Sequence, residues 1–353
     1  MHMADALVSP VVGGVMLAAT AGLAALSIKR TQNSLDQKKI PLMGIMGAFI
    51  FAAQMINFTI PGTGSSGHIG GGLILAVLLG PSAGFLTMAA VLLIQALFFA
   101  DGGLLAYGCN VFNLGFFTCF IAYPLIFRLI VRKGWSGRKI WLASIISAIF
   151  SLQLGAFSVV LETLFSGKTE LPFSTFVLMM QPIHLAIGIV EGLVTASVVH
   201  FIWKARPEII EHAMSDHVIG AVSMKKVLAI LAICVVMIGG GLSWFASANP
   251  DGLEWSINNV SGSPELQTDG ALHKTMAEVQ AKTAFLPDYA IKPDGPAGQP
   301  TDLAAANVGK TVSGLAGAGL TLALVGLAGF LINLARRRSK RSRPEMRTGS
   351  PKP

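Results

Sequence analysis

Long apolar runs alternate with short polar ones along almost the whole chain. Runs near or above the roughly 20 residues that cross a bilayer as a helix recur at about 10–28, 41–60, 71–79, 82–99, 108–131, 139–164, 175–203, 226–246 and 312–334. The pattern predicts an all-α polytopic membrane protein with about nine membrane segments: a seven-helix bundle and a two-span C-terminal module. Residues 71–79, closed by Gly80-Pro81, are too few to cover about 30 Å at roughly 1.5 Å per residue. Either the glycine-rich stretch before them extends the segment, or they form a re-entrant pair with 82–99. Both routes return the chain to the same side at Asp101.

The polar intervals divide the chain. A membrane domain over 1–206 is followed by a polar linker at 207–223, in which His212 and His217 read as solvated residues. The two-span module occupies 224–335 and ends in a basic tail, 336–353. Its outer loop, 247–311, is rich in Pro, Gly, Ala, Asp and Thr, so it is expected to be loosely ordered.

Charged residues make up only 12% of the chain and hydrophobic ones 53%. A soluble domain carries about twice that charge. The net charge of +8 does not point to nucleic acid, because the basic residues sit in clusters between apolar runs, where they orient a membrane protein. With the N-terminus outside, all but five of the 26 Lys and Arg residues fall in inner loops or the tail. The five are Lys168, Lys274, Lys282, Lys292 and Lys310, four of them in the long outer loop, where the rule is weak. The expected orientation is N-terminus out and C-terminus in, with the tail anchoring it or resting on anionic membrane lipid. Cys109, Cys119 and Cys234 all lie in apolar segments without CxxC spacing, which argues against a disulfide framework or zinc site.

The candidate chemistry begins at Met1-His2. No cleavable leader precedes the first apolar run, and His2 is too large for methionine removal, so a free Met1 amine is expected. Amine, His2 amide nitrogen and the nearer His2 ring nitrogen close two chelate rings on one metal. They fill three corners of a square and leave the fourth for another ligand. Planar nitrogen coordination suits Ni(II) or Cu(II), with Co(II) a third option. The loop Pro61–Gly72 lies on the same side as Met1. Half of its residues are glycine, and His68 is its strongest coordinating side chain. That topology makes His68 the candidate fourth ligand. His184 and Glu191 are seven apart, hence on one helix face, and ionisable groups inside a span are functional candidates. They read as supporting groups rather than ligands. Asp5, Asn57, Gln95, Asp101 and Asn110 are further polar groups near the outer ends, and metal-bound histidines need such acceptors to orient them. In the first span, Ala18, Ala21, Gly22 and Ala25 make a smooth helix face, suited to internal packing or to a docked partner.

Several chemistries are missing. Gly167-Lys-Thr and Gly309-Lys-Thr end like a phosphate-binding loop, but Glu162 and Ala304 stand where its first glycine belongs. There is no HExxH, GxSxG or nicotinamide fingerprint, so no ATP hydrolysis and no enzyme site is expected.

MHMADALVSP at the start, GTGSSGHIGGG at 62–72 and HLAIGIVEGLVTA at 184–196 resemble the CbiM/NikM substrate-binding components of energy-coupling factor transporters. The last third, with two spans and Asn-Pro-Asp-Gly-Leu-Glu at 249–254, resembles the small CbiN/NikN component, so the chain looks like a fusion of the two over about 1–335. The resemblance implies uptake of Ni(II) or Co(II) as transported substrate in a prokaryotic cell membrane. It implies a square-planar site from the Met1 amine, the His2 amide and imidazole, and His68. It also implies a membrane coupling subunit, which the small-residue face of the first span would contact, and two ATPase subunits. The family's substrate-binding part is thought to topple in the membrane, and the small component's outer loop is associated with loading the site. Cobalt members commonly begin MHIMEG, and MHMADALVSP looks closer to the nickel branch. Nickel is therefore the first expectation, cobalt uptake for corrinoid synthesis the second. A membrane receptor or scaffold with structural histidines is the alternative of another class. An intramembrane metalloenzyme is disfavoured, because four protein ligands leave no open position.

Overall fold

The computed structural model describes residues 2–34, 39–215, 224–268, 270–291 and 303–341. Met1, 216–223 of the expected linker (with His217), part of the outer loop and most of the basic tail lie outside the described residues, as does the side chain of His212. Six helices are long and apolar enough to cross a membrane: Pro10–Gln32, Pro81–Phe99, Tyr107–Val131, Gly137–Phe165, Phe173–Ala205 and Ala306–Arg336. Lys39–Gln54 is apolar but shorter. The chain is an all-α polytopic membrane protein.

In chain order the helices are α1 (Pro10–Ser34), α2 (Lys39–Gln54), α3 (Gly72–Leu79), α4 (Pro81–Phe99) and α5 (Tyr107–Val131, π-helical over Phe112–Phe127). They continue with α6 (Gly137–Phe165), α7 (Phe173–Ala205), α8 (Pro207–Ser215), α9 (Lys225–Gly240), α10 (Gly252–Ser261), α11 (Ala271–Thr283) and α12 (Leu303–Arg341). α6 and α7 form an antiparallel pair, α5 lies beside α6, and α9 and α12 pack along α2. The C-terminal part of the chain is therefore joined to the bundle through α2, whose residues are buried almost throughout; of its two expected spans only Ala306–Arg336 has the length to cross a membrane, since α9 stops at Gly240 after 16 residues.

Three expectations change. The second apolar run does not stay helical to residue 60: α2 stops at Gln54, and Phe58–Ile60 pairs antiparallel with Ser65–Gly67. The turn between these strands needs left-handed backbone at Gly62 (φ 76) and Gly64 (φ 73), which glycine supplies without steric cost. Second, the short run is a helix of eight residues. At roughly 1.5 Å per residue it covers about 12 Å and does not cross a bilayer alone. α3 is wholly buried and turns at Gly80 into α4, where Gly84 leaves room for the Ala76 backbone.

Third, the described residues of the outer loop are ordered. Residues 249–268 and 270–291 hold α10, α11 and the turn Pro287–Tyr289, laid over the end of the bundle. Leu253 and Ile257 are buried where α10 packs on α7. The Trp255 indole donates to the Thr63 carbonyl at 2.9 Å, and Gln280 donates to the carbonyls of Ala96 and Gly102, both at 2.8 Å. Composition suggested disorder because it does not register these long-range partners.

α1 is held loosely by comparison. Ala18, Ala21, Gly22 and Ala25 are all exposed, so that face does not serve internal packing. The contact that fixes α1 lies at Gly108 of α5, where a Cβ would sit 2.4 Å from the Leu17 backbone nitrogen. Beside it the Thr20 hydroxyl donates to the Gly108 carbonyl at 2.9 Å. We predict that Gly108→Ala destabilises the purified protein by about 1–3 kcal/mol, the usual cost of overpacking. Gly22→Ala, with nothing within 4 Å of the added carbon, should not lower the thermal midpoint and should raise it slightly, because alanine is the better helix former. Paired thermal unfolding in detergent measures both.

Candidate metal site

The site forms where the N-terminal segment meets the glycine loop. Asn110 of α5 binds both polar groups of the Met3 peptide unit: its carbonyl accepts from Met3 N at 2.7 Å, and its amide donates to Met3 O at 3.1 Å. Gly103 N donates to the same carbonyl at 2.9 Å. Met3 itself is fully buried, so the neighbouring His2 has little freedom. Two residues beyond Met3, the Asp5 carboxylate accepts from Ala106 N at 2.9 Å.

The glycine loop is held from below. Both carboxylate oxygens of Glu191 on α7 accept peptide N–H groups, from Gly70 at 2.8 Å and Gly71 at 3.0 Å. Gln54 at the end of α2 donates to the Gly70 carbonyl at 2.8 Å. These bonds place His68 so that its ring stacks on His2, with centroids 5.0 Å apart and 9° between planes. His2 Nε2 is buried and has no hydrogen-bond partner. His68 Nδ1 lies 3.1 Å from the carbonyl of Ile69.

Two carboxylates flank the imidazoles. Asp101 meets His2 Nδ1 at 2.9 Å and accepts a short hydrogen bond from the Tyr289 hydroxyl. Burial alone would raise its pKa, but the attraction of His2 and the bonds from His2 and Tyr289 outweigh this and hold it at about 2. Asp251 lies with Gly67 and His68 around one small cavity. It too is held below the usual carboxylate range: burial opposes this, and the positive surroundings, His68 among them, prevail. His68 is pushed down to about 3, first by burial and also by its neighbour His2. Its ring therefore stays neutral, and able to donate its lone pair to a cation, through the physiological range.

The other candidates are distributed around this centre. Gln95 donates to Gln54 Oε1 at 2.9 Å and to the Tyr289 hydroxyl oxygen at 3.3 Å, linking the loop clamp to Asp101. His184 gives its Nδ1 to the Met180 carbonyl at 2.7 Å and lines the small cavity with His68 and Asp251. Asn57 lines a larger outer cavity of about 540 Å³ that opens onto His2, His68, Asp101, Asp251, Glu254 and Asp288. Met1 lies outside the described residues. Sequence reading left Asp251, Tyr289 and Gln54 out of the site and ranked Asp101 among many. One signal was present: Asp251-x-x-Glu254 is a capping box. Asp251 accepts from Leu253 N at 2.8 Å and Glu254 N at 2.9 Å, and Glu254 accepts from Asp251 N at 3.1 Å. That pattern predicts a helix start.

A family model described as the cobalt uptake substrate-specific transmembrane region, CbiM, matches residues 2–209, and a PDGLE domain model matches 225–334. A curated fused nickel transport protein NikMN from Rhodobacter capsulatus is 30% identical over 96% of this chain and 99% of its own length. A putative fused nickel transport protein NikMN from Archaeoglobus fulgidus is 36% identical over 66% of this chain and 75% of that one. A cobalt transport protein CbiM from Sorangium cellulosum is 31% identical over 53% of this chain and 83% of that one. A crystal structure of a transition metal transporter superposes with a TM-score of 0.52 at 32% identity, covering 61% of this chain and 98% of that chain.

The depressed His68 predicts a pH dependence. Below the ordinary value of 6.5 the unfolded chain takes up a proton that the folded one refuses until about pH 3. Stability therefore falls as pH drops through that window. The slope is at most about 1.4 kcal/mol per pH unit, and less because the ring is partly exposed. Thermal midpoints between pH 7 and 4 should fall more steeply for the wild type than for His68→Gln.

Proposed function

This chain belongs to the CbiM family of cobalt uptake substrate-specific transmembrane regions and is a metal transport component of the CbiM/NikMN type; on that premise we propose that it captures Ni(II) for an energy-coupling factor importer. The metal is held in a square plane by the Met1 amine, the His2 amide and imidazole nitrogens, and His68. The observation that carries the reading is the parallel pairing of the His2 and His68 rings at 5.0 Å, beside two half-buried carboxylates, Asp101 and Asp251, that suit a dication.

In this proposal the N-terminus faces the extracytoplasmic side of a prokaryotic cell membrane, and the C-terminus faces the cytoplasm. Binding through His2 Nδ1 displaces Asp101 from that nitrogen, so the carboxylate competes with the metal and orients the ring until it arrives. Energy comes from partners: a membrane coupling subunit and two ATPase subunits, with this chain a transport subunit rather than an enzyme. The exposed face of Ala18, Ala21, Gly22 and Ala25 is the surface proposed for the coupling subunit. Supporting roles fall to Asp5 and Asn110 at the N-terminal segment and to Gln54, Gln95 and Glu191 at the loop. Nickel is preferred because the Rhodobacter capsulatus relative, aligned over 96% of this chain, is named a fused nickel transport protein, as is the Archaeoglobus fulgidus one, aligned over 66%. The family description itself supports Co(II) as the second reading, since stability order at a nitrogen site does not exclude cobalt.

Elemental analysis of the purified chain should find one tightly held nickel, with a yellow diamagnetic chromophore. Five residues added ahead of Met1 replace its primary amine with an amide and keep His2 out of the third position, where it would complete a new four-nitrogen chelate; binding should weaken by at least about 100-fold, the upper end of what losing a mere supporting partner of a ligand costs. The thermal midpoint without metal should not move. Equal nickel binding by native and extended proteins would show the chelate to be wrong.

A further inference from the structure

Below the stacked rings lies a second, smaller space of about 10 Å³, lined by His68, His184, Asp251, Gly67, Gly70 and Gly252, among others. It has room for about one atom the size of a water oxygen or a metal ion. Glycine keeps it open: a Cβ on Gly252 would come 2.6 Å from Ile183 and 3.4 Å from His184 Cε1.

His184 points to the occupant. Its side chain is fully buried, and its Nδ1 lies 2.7 Å from the Met180 carbonyl. A carbonyl only accepts, so Nδ1 carries the proton and Nε2 carries the lone pair. That Nε2 is buried without a hydrogen-bond partner. A backbone acceptor on one ring nitrogen and an open lone pair on the other is the arrangement that metal-ligating histidines adopt. An unmet acceptor in a buried site is unfavourable unless something fills it, and here the cavity also carries a carboxylate and a second imidazole.

We propose that this space is a second divalent-cation position, a transfer station below the N-terminal chelate, with His184 Nε2 as its principal ligand and Asp251 and His68 as its neighbours. It rests on the metal-capture reading. Among the described residues no three His, Cys, Asp or Glu side chains form a ready-made metal cage, so the station is weak and completed by water. Weakness suits a transfer position, because an ion must be able to leave each site it visits. His68 touches both spaces, so it can hold the ion while His2 releases it and His184 takes it. α7 carries both His184 and Glu191, the carboxylate that clamps the loop, so a shift of α7 relative to the loop would act on both sites together.

The test is equilibrium dialysis of the full chain with Ni(II) alone, in detergent. The wild type should bind one tight equivalent and a second at least tenfold weaker. His184→Gln should lose the weak equivalent and keep the tight one, whereas the five-residue N-terminal extension should lose the tight one and keep the weak. Asp251→Asn preserves a helix-capping side chain and should weaken the second equivalent by a larger factor than the tight one, which keeps its four nitrogen ligands and Asp101; it decides the matter if His184→Gln fails to fold. A wild type that binds one equivalent only, or weak binding untouched by both substitutions, overturns the station and shows a water-filled cavity. Tight binding that survives the extension overturns the chelate instead, so the two failures are distinct.

Discussion

Backbone that is not helical cannot sit inside a membrane bundle with its N–H and C=O groups unmet, since each orphan costs several kcal/mol there. The arrangement of the site follows from this constraint. The Met3 peptide unit is met by Asn110 and Gly103. The Gly70 and Gly71 amides are met by Glu191, and the Gly70 carbonyl by Gln54. These partners come from α2, α5 and α7, three helices far apart in sequence. The glycine loop has a large conformational entropy of its own, so its position is set by the helices that satisfy it. Glu191 is placed where a buried carboxylate has two peptide donors instead of water.

The same constraint explains the two-span module. Ser66 donates through its backbone N to the Pro250 carbonyl at 2.8 Å, and through its hydroxyl to the Asn249 carbonyl at 2.8 Å. The residues Pro250-Asp251-Gly252-Leu253-Glu254 therefore each have a physical task. Pro250 offers a carbonyl to the hairpin, Asp251 and Glu254 close the capping box, Gly252 allows α10 to approach Ile183 and His184, and Leu253 is buried. Tyr289 reaches the site from the far end of the same module. It stacks on Phe99 at 5.0 Å and binds Asp101. It does so from a left-handed backbone, φ 59, as does Asp288 at φ 50. Such conformations are disfavoured for residues with side chains, and the stacking and hydrogen bonds offset that cost. The site is thus a joint product of bundle and module.

How much of this was legible in the sequence depended on the range of the interaction. Membrane character follows from apolar runs, a local property. The pairing of His2 with His68 followed from topology, because counting spans puts both on one side. α3 was suspect from its length alone. Asp101, Asp251, Tyr289 and Gln54 were not singled out, because each acquires its meaning from a partner far away in the chain: Tyr289 stands 188 residues from Asp101. The ordering of the outer loop was missed for the same reason. Its composition reads as loose, and only the capping box hinted at a helix.

The charges at the site bring these strands together. Two carboxylates, Asp101 and Asp251, lie against two imidazoles in largely buried surroundings. Without a cation the carboxylates are tolerable because His2, Tyr289 and the N–H groups at the start of α10 hold them. In the proposed chelate the metal brings two positive charges and the His2 amide gives up its proton, leaving a net +1 centre between the carboxylates. One carboxylate comes from the bundle and the other from the module. A cation bound there is attracted to both, so loading the site draws the two parts of the chain together. Removing the ion returns each carboxylate to its own partners, Asp101 to His2 and Tyr289 and Asp251 to the amides of α10. On the proposed chelate, a substrate that is itself the counter-charge between bundle and module would couple occupancy to the packing of one on the other.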